Sequence, residues 1–233
     1  VQYFVSFDNP TVSKLQAQAL VDALTAAGKT KPSIVMINGS PTDSNAADFK
    51  AGAHSVFDPL VASGKLTIAK EYDTPDWSPD QAQNEMQQAL TALGGKVDGV
   101  YCANDGTGGG AIAAMKAAKV TPLPPVTGQD AEVAGLQRII AGDQFMTIYK
   151  AIKPEAKDAA DAALALAGGG VPDATVYKTA KNNGKADVKS DLLTPVAVTK
   201  SNVASTVVAD GFHTAAEICT AQYAAACTAL GIK

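Results

Sequence analysis

The sequence predicts an α/β fold: a parallel sheet with helices on both faces. Two observations predict it. Short apolar runs, often β-branched, recur along the chain, as strands buried on both faces require. Amphipathic stretches with helical spacing separate them, joined by short turns. Neither an internal repeat nor a low-complexity linker breaks the alternation.

The first strand is Tyr3 to Phe7, within the opening Val-Gln-Tyr-Phe-Val-Ser-Phe. Val12 to Leu24 then carries Leu15, Ala19, Leu20 and Leu24 on one helical face. Ser33 to Asn38 is the second strand, and Phe49 to Val61 the next helix, with Asp43 as a candidate cap. Leu66 to Tyr72 is the third strand. Ser78-Pro79 joins a capping residue to Pro at the first helical position, so a helix follows over Gln81 to Leu93. Gly99 to Ala103 is the fourth strand. A glycine-rich turn, Gly106-Thr107-Gly108-Gly109-Gly110, leads from it into a helix over Ala111 to Lys119. Pro125 to Gly128 is the fifth strand, and the helix Val133 to Ala141 closes on Gly142. Phe145 to Tyr149 is the sixth strand. The Ala-rich stretch Pro154 to Ala167 ends in Gly168-Gly169-Gly170.

The chain has 233 residues, 46% hydrophobic and 18% charged. That is enough to bury a sizeable core and excludes a disordered chain. Nineteen basic against 23 acidic residues leave a net charge of −4, so no nucleic-acid partner is expected. No apolar run approaches the ~18 residues of a membrane span. The chain opens on Val1 without Met, basic leader or signal core, and is expected to be a fragment or a processed product.

Cys102 lies in an apolar strand and reads as a buried thiol. Cys219 and Cys227 would stand ~12 Å apart on one continuous helix, too far for a disulfide. A turn between them would instead allow a short-loop bridge, which implies an oxidising compartment. The only histidines, His54 and His213, lack metal-ligand spacing, and neither a metal nor a cofactor is expected.

Ligands of parallel sheets bind beyond the carboxyl ends of the strands. The residues there are Asp8 and Asn9, Asp43 and Asn45, Asp73, Asp76 and Trp77, Asn104 and Asp105, Gln129 and Asp130, and Lys150. Planar amides and carboxylates pair with vicinal hydroxyls. Trp77, the only Trp, offers a flat apolar face to the C–H side of a pyranose. No Arg stands among these positions, and only Lys50 and Lys150 lie near them, so the set suits a neutral polyol or sugar rather than an anion. Each residue also has a plainer reading: Asp8, Asp43 and Asp130 as helix caps, Trp77 as core or lid, Asn104 as a turn former, Lys150 as a solvated lysine. Delivery of all of them to one sheet edge favours a binding site.

Several strings resemble the periplasmic sugar-binding proteins of ABC transporters. They are Phe-Val-Ser-Phe-Asp-Asn (4–9), Gly-Ser-Pro-Thr-Asp-Ser-Asn-Ala (39–46), Ala-Asn-Asp-Gly-Thr-Gly-Gly-Gly-Ala-Ile (103–112), Gly-Gln-Asp-Ala-Glu-Val-Ala-Gly-Leu (128–136), Met-Thr-Ile-Tyr-Lys (146–150), Leu-Leu-Thr-Pro (192–195) and Asp-Gly-Phe-His (210–213). They stand in family order over nearly the whole chain. The resemblance implies a cluster B, type I solute-binding protein: two α/β domains, three hinge crossings, and a sugar held between the domains. It implies sugar contacts at Asp43, Asn45, Lys50, Trp77, Asn104, Asp130 and Lys150. Lys50 falls where a family member carries Arg, and an ammonium cannot fork to two oxygens. The family also begins ~90–100 residues earlier, about one small subdomain. The expected organisation is therefore a complete C-terminal sugar-binding domain with the first hinge strand (1–150), a remnant of the N-terminal domain (151–191), and a return crossing with the C-terminal tail (192–233). The expected function is an extracytoplasmic receptor, not an enzyme. It captures xylose or a similar monosaccharide for the permease of an ABC importer. Its place is periplasmic or extracellular, membrane-associated through the transporter or a lipid anchor. The missing N-terminal segment, or another chain or copy, is the partner that the remnant requires.

Two further readings compete. Gly106-x-Gly108-x-x-Ala111 after a strand, with Asp130 ending the next, superficially fits a dinucleotide-binding oxidoreductase. Asp105, however, would meet the pyrophosphate with like charge. The effector domain of a repressor shares the fold, but would need a DNA-binding module upstream. A hydrolase is disfavoured because no Gly-x-Ser-x-Gly elbow is present.

Overall fold

Strand and helix alternate, with one break where two helices follow each other, from the N-terminus through residue 167 of the computed structural model, which describes residues 1–233. In order come β1 (Tyr3–Phe7), α1 (Asn9–Ala26), β2 (Ser33–Asn38), α2 (Ser44–Ala62), β3 (Thr67–Asp73), a 3-10 turn (Pro75–Trp77), α3 (Pro79–Ala92), β4 (Gly99–Cys102), α4 (Asp105–Ala117), α5 (Val133–Ala141), β5 (Met146–Tyr149) and α6 (Ile152–Ala167). Then follow β6 (Thr179–Asn182), β7 (Asp187–Leu193), β8 (Val196–Thr199), a π-helical turn (Ala204–Val208), α7 (Ala215–Ile218) and α8 (Ala224–Ala229). No helix is long and apolar enough to cross a membrane.

The chain forms two units: Val1–Asp8 with Lys150–Pro195, and Asn9–Tyr149 with Val196–Lys233. It therefore passes between them at residues 8/9, 149/150 and 195/196. Set beside the expected division at 150 and 191, β1 belongs with the smaller unit and β8 with the larger.

In the larger unit β2 is central, with β3 and β4 parallel on either side. Side chains on successive strand positions point to opposite faces. Ile34 and Met36, with Tyr101, accordingly pack against Ala17, Leu20 and Leu24 of α1 and Phe57 of α2. Val35 and Ile37, with Val100 and Cys102, pack against Met86 and Leu90 of α3 and Ile112 and Met115 of α4. These two cores make the sheet buried on both faces, as its apolar strands predict. Beyond β4 the ladder continues through isolated parallel bridges, Val100 to Val126 and Gln129 to Ile148, and then β5. Pro124 and Pro125 carry no N–H to donate, and the expected fifth strand is reduced to these bridges. β8 closes the edge antiparallel to β5.

The caps follow the sequence. Asp43 caps α2, Ser78 with Pro79 opens α3, and Gly142 ends α5 at φ +90. One expectation is corrected. The glycine-rich stretch is not a turn but the first turns of α4, which starts at Asp105 rather than Ala111. Its glycines allow close approach: a Cβ at Gly110 would lie 2.1 Å from the Pro79 carbonyl of α3.

Cys219 ends α7 and Cys227 lies in α8. The turn between them brings their Cα atoms to 5.9 Å and they form a disulfide, while Cys102 is free and buried. The turn resolves the alternative left open by the spacing.

The smaller unit is a three-stranded sheet, β1-β7-β6, with β1 parallel and β6 antiparallel to β7. Tyr177 is buried against Tyr3, edge-on at 4.9 Å, and its hydroxyl donates to the Asp158 carbonyl of α6 at 2.8 Å. Ala162 is the one buried residue of α6. Leu164 and Val171 are 72% and 80% exposed.

Candidate functional site

Because β2, β3, β4, the 126–129 segment and β5 run parallel, their carboxyl ends share one edge of the larger unit. The strand-end side chains are delivered there. At the end of β2, Asp43 accepts the Asn45 N–H at 2.9 Å through Oδ1 and the Trp77 indole N–H at 3.2 Å through Oδ2. One carboxylate thus caps α2 and anchors the only Trp. The amide of Asn9, buried at the start of α1, donates to Asn45 Oδ1 at 2.8 Å.

Trp77 is held from several sides. Its benzene ring abuts Gly39, where a Cβ would lie 2.0 Å from Cη2, and Phe49 meets it edge-on at 6.3 Å. Asp76 and Trp77 both take left-handed backbone, φ +54 and +55, a conformation that non-glycine residues hold only where their surroundings impose it. The Asp76 N–H donates to Ser40 Oγ at 3.2 Å, fixing this turn to the end of β2.

Asn104 caps α4. Its Oδ1 accepts the Thr107 N–H at 2.8 Å, and the Thr107 hydroxyl in turn accepts the Asn104 N–H at 3.3 Å. The carbonyl half of the amide is therefore engaged, and the NH2 is the half that Asn104 can present to a ligand. Asp130 sits one strand away, where the Asp105 N–H donates to the Gln129 carbonyl at 2.9 Å. Asp130 does not cap the next helix: the capping position of α5 is Glu132, without a side-chain bond. Asp130 and Ala131 are left-handed, at φ +92 and +50.

Lys50 lies on α2, with its Nζ 2.9 Å from Asp73 and 3.1 Å from Glu71. His54, one turn on, contacts Glu71 at 3.0 Å and Asp58 at 2.8 Å. Burial lowers the basicity of both cations, but their hydrogen bonds outweigh it and hold both above their ordinary values. Glu71 is correspondingly held low by His54 and Lys50 against its own burial. Lys150 is the first residue after β5, where the chain enters the smaller unit.

The structure thus brings Asp43, Asn45 and Trp77 into one hydrogen-bonded group, with Asn104 and Asp130 on neighbouring strand ends of the same edge. Lys50 is ion-paired to Asp73, the last residue of β3, and to Glu71. The sequence reading places Asp105 among the ligand-edge residues; the structure instead buries its carboxyl, which desolvation pushes up to about 7 against the hydrogen bonds of Gln144, Glu132 and Thr147. Its partners lie up to 42 residues away, and no local spacing reveals them.

An open α/β sheet with a polar carboxyl edge defines a class of ligand-binding domains. Within that class the chain belongs to the periplasmic binding protein domain family, which its residues 1–170 match. It is 42% identical over 218 residues, 94% of its length, to the D-xylose-binding periplasmic protein of Escherichia coli, and spans 64% of that relative. A solute-binding protein of an ABC transporter from Clostridium phytofermentans, solved with bound β-D-glucose, superposes with TM-score 0.85 at 29% identity, covering 94% of this chain and 70% of that one. A carbohydrate transporter solute-binding protein from Chloroflexus aurantiacus, in complex with D-glucose, gives 0.82 at 32% identity over 93% and 69%. The chain thus spans less than two-thirds of the length of the E. coli relative.

Proposed function

We propose that the full-length protein is a periplasmic receptor that captures a monosaccharide, xylose or a similar sugar, and delivers it to the permease of an ABC importer. The observation that carries this reading is the strand-end group itself: Trp77 anchored by Asp43, with Asn104 and Asp130 along the same parallel edge. In this reading Trp77 stacks on the apolar face of the ring. Asp43 and Asp130 accept from hydroxyls, while Asn45 and the NH2 of Asn104 complete the paired contacts. Lys50 and Lys150 supply charge-assisted donors. For Lys50 this requires exchange of a carboxylate partner, Asp73 or Glu71, for a hydroxyl. A sugar bound by both domains of such a receptor biases its hinge toward closure.

The relatives' additional length supports a second part of the reading: a further segment completes the smaller unit and covers the apolar side chains of α6. Attachment to the membrane runs through the transporter or a lipid anchor. Calorimetric titration of the full-length protein with xylose, glucose, ribose and galactose tests the function. Saturable binding of at least one is expected, and binding of none overturns the reading.

A further inference from the structure

Asp105 follows the cap Asn104 and is wholly buried. Its carboxylate faces three donors from distant parts of the chain. Gln144 Nε2 donates to Oδ1 at 2.7 Å; the Glu132 N–H and the Thr147 hydroxyl donate to Oδ2 at 2.9 and 3.0 Å. Thr147 Oγ1 also accepts the Ala131 N–H at 3.1 Å. One buried carboxylate therefore holds both N–H groups of residues 131–132, one directly and one through a hydroxyl. Arg138 braces the assembly, with Nε on Gln144 Oε1 at 2.9 Å. Two glycines make the room: a Cβ at Gly128 or Gly135 would lie 2.1 or 2.3 Å from a carboxylate oxygen of Asp105.

The segment so held is the left-handed pair Asp130-Ala131. L-residues stay in that conformation only where surrounding bonds over-determine it. Three donors converge on its two oxygens, so the geometry asks for acceptors at both. The amide of Asn would turn an NH2 toward a donor and strand one buried N–H.

We propose that Asp105 is a positioning residue for sugar binding: its carboxylate locks the 130–132 turn and thereby aims the Asp130 side chain at the ligand edge. This rests on the reading of Asp130 as a sugar ligand. The full-length protein should be titrated with its best monosaccharide in four forms: unchanged, Asp105→Asn, Asp130→Ala, and the double variant. Circular dichroism confirms folding at the working temperature. Asp105→Asn is expected to weaken binding by about ten-fold or more. The double variant should bind no more weakly than Asp130→Ala alone, because Asp105 acts through Asp130. Thr147→Val, which removes the bridging hydroxyl, should show the same non-additive pattern to a smaller degree, and it carries the test if Asp105→Asn does not fold. A core change of comparable stability loss, Ile139→Val in α5, should leave affinity unchanged. Wild-type affinity in the positioning variants, or losses that multiply in the double variant, would overturn the positioning role alone. Undiminished binding by Asp130→Ala would overturn the ligand reading and this proposal with it.

Discussion

Asn104 uses its carbonyl oxygen to cap α4 and leaves its NH2 for other work, so two substitutions separate the roles. Asn104→Asp keeps an accepting cap but removes the donor. Asn104→Ala removes both, and an unmatched cap costs about 1 kcal/mol. Thermal unfolding is therefore expected to distinguish the two variants, with only Ala lowering the midpoint. Calorimetry of the full-length protein is expected to show sugar affinity falling in both. Preserved affinity in Asn104→Asp would show that the donor is not used. His54 makes a second residue-scale test. Its pKa is raised, so the stability it contributes is complete below the ordinary histidine range and is lost as pH rises through the folded value. His54→Gln should therefore remove a fall in melting temperature, as pH rises above the ordinary histidine value of about 6.5, that the unaltered protein shows. A difference between the two that stays constant over that range would contradict this.

At the scale of elements, legibility followed burial. β2 and β4 were readable because every position of β4, and all of β2 after Ser33, is buried, and Asn38 is the only strongly polar residue among them. The bounds of α5 matched because its apolar spacing ends at a left-handed Gly142. The start of α4 was missed because glycine signals turns in sequence, whereas here it serves contact with α3. β6 and β7 were missed for a different reason. β6 buries no position, and in β7 the alternation of buried Val188 and Ser190 with exposed Asp187 and Lys189 is too short to stand out. The contact between α3 and α4 gives a test: Gly110→Ala must push the helices apart. Overpacking of this kind costs about 1–3 kcal/mol, so the melting temperature should drop measurably. Gly94→Ala is a poor control because its φ is +60, but Gly106, whose nearest neighbours lie at 3.6 Å, should accept Ala with a smaller loss. Equal melting temperatures for Gly110→Ala and the unaltered protein would refute close packing as the reason for the glycine.

For the whole molecule, the candidate site was legible as far as strand ends reveal it. Asp43, Trp77, Asn104 and Asp130 follow directly from where parallel strands stop. The supporting contacts were not legible: Asn9 and Asp105 stood among the strand-end residues, but their bonds to Asn45 and Thr147 span 36 and 42 residues. The two units also differ in how much they bury. The larger has cores on both faces of its sheet, whereas α6 of the smaller buries only Ala162. Side chains such as Leu164 and Val171, 72% and 80% exposed, are apolar surface of the kind that marks an interaction face. The 233-residue chain should therefore bind a hydrophobic dye such as anilinonaphthalene sulfonate, and Leu164→Lys with Val171→Lys should reduce the signal. If a further segment covers that face and completes the sugar clamp, the full-length protein will bind little dye, and its sugar affinity will exceed that of the 233-residue chain. A sugar affinity in the 233-residue chain equal to that of the full-length protein would mean that the strand-end residues suffice without the second half of the clamp.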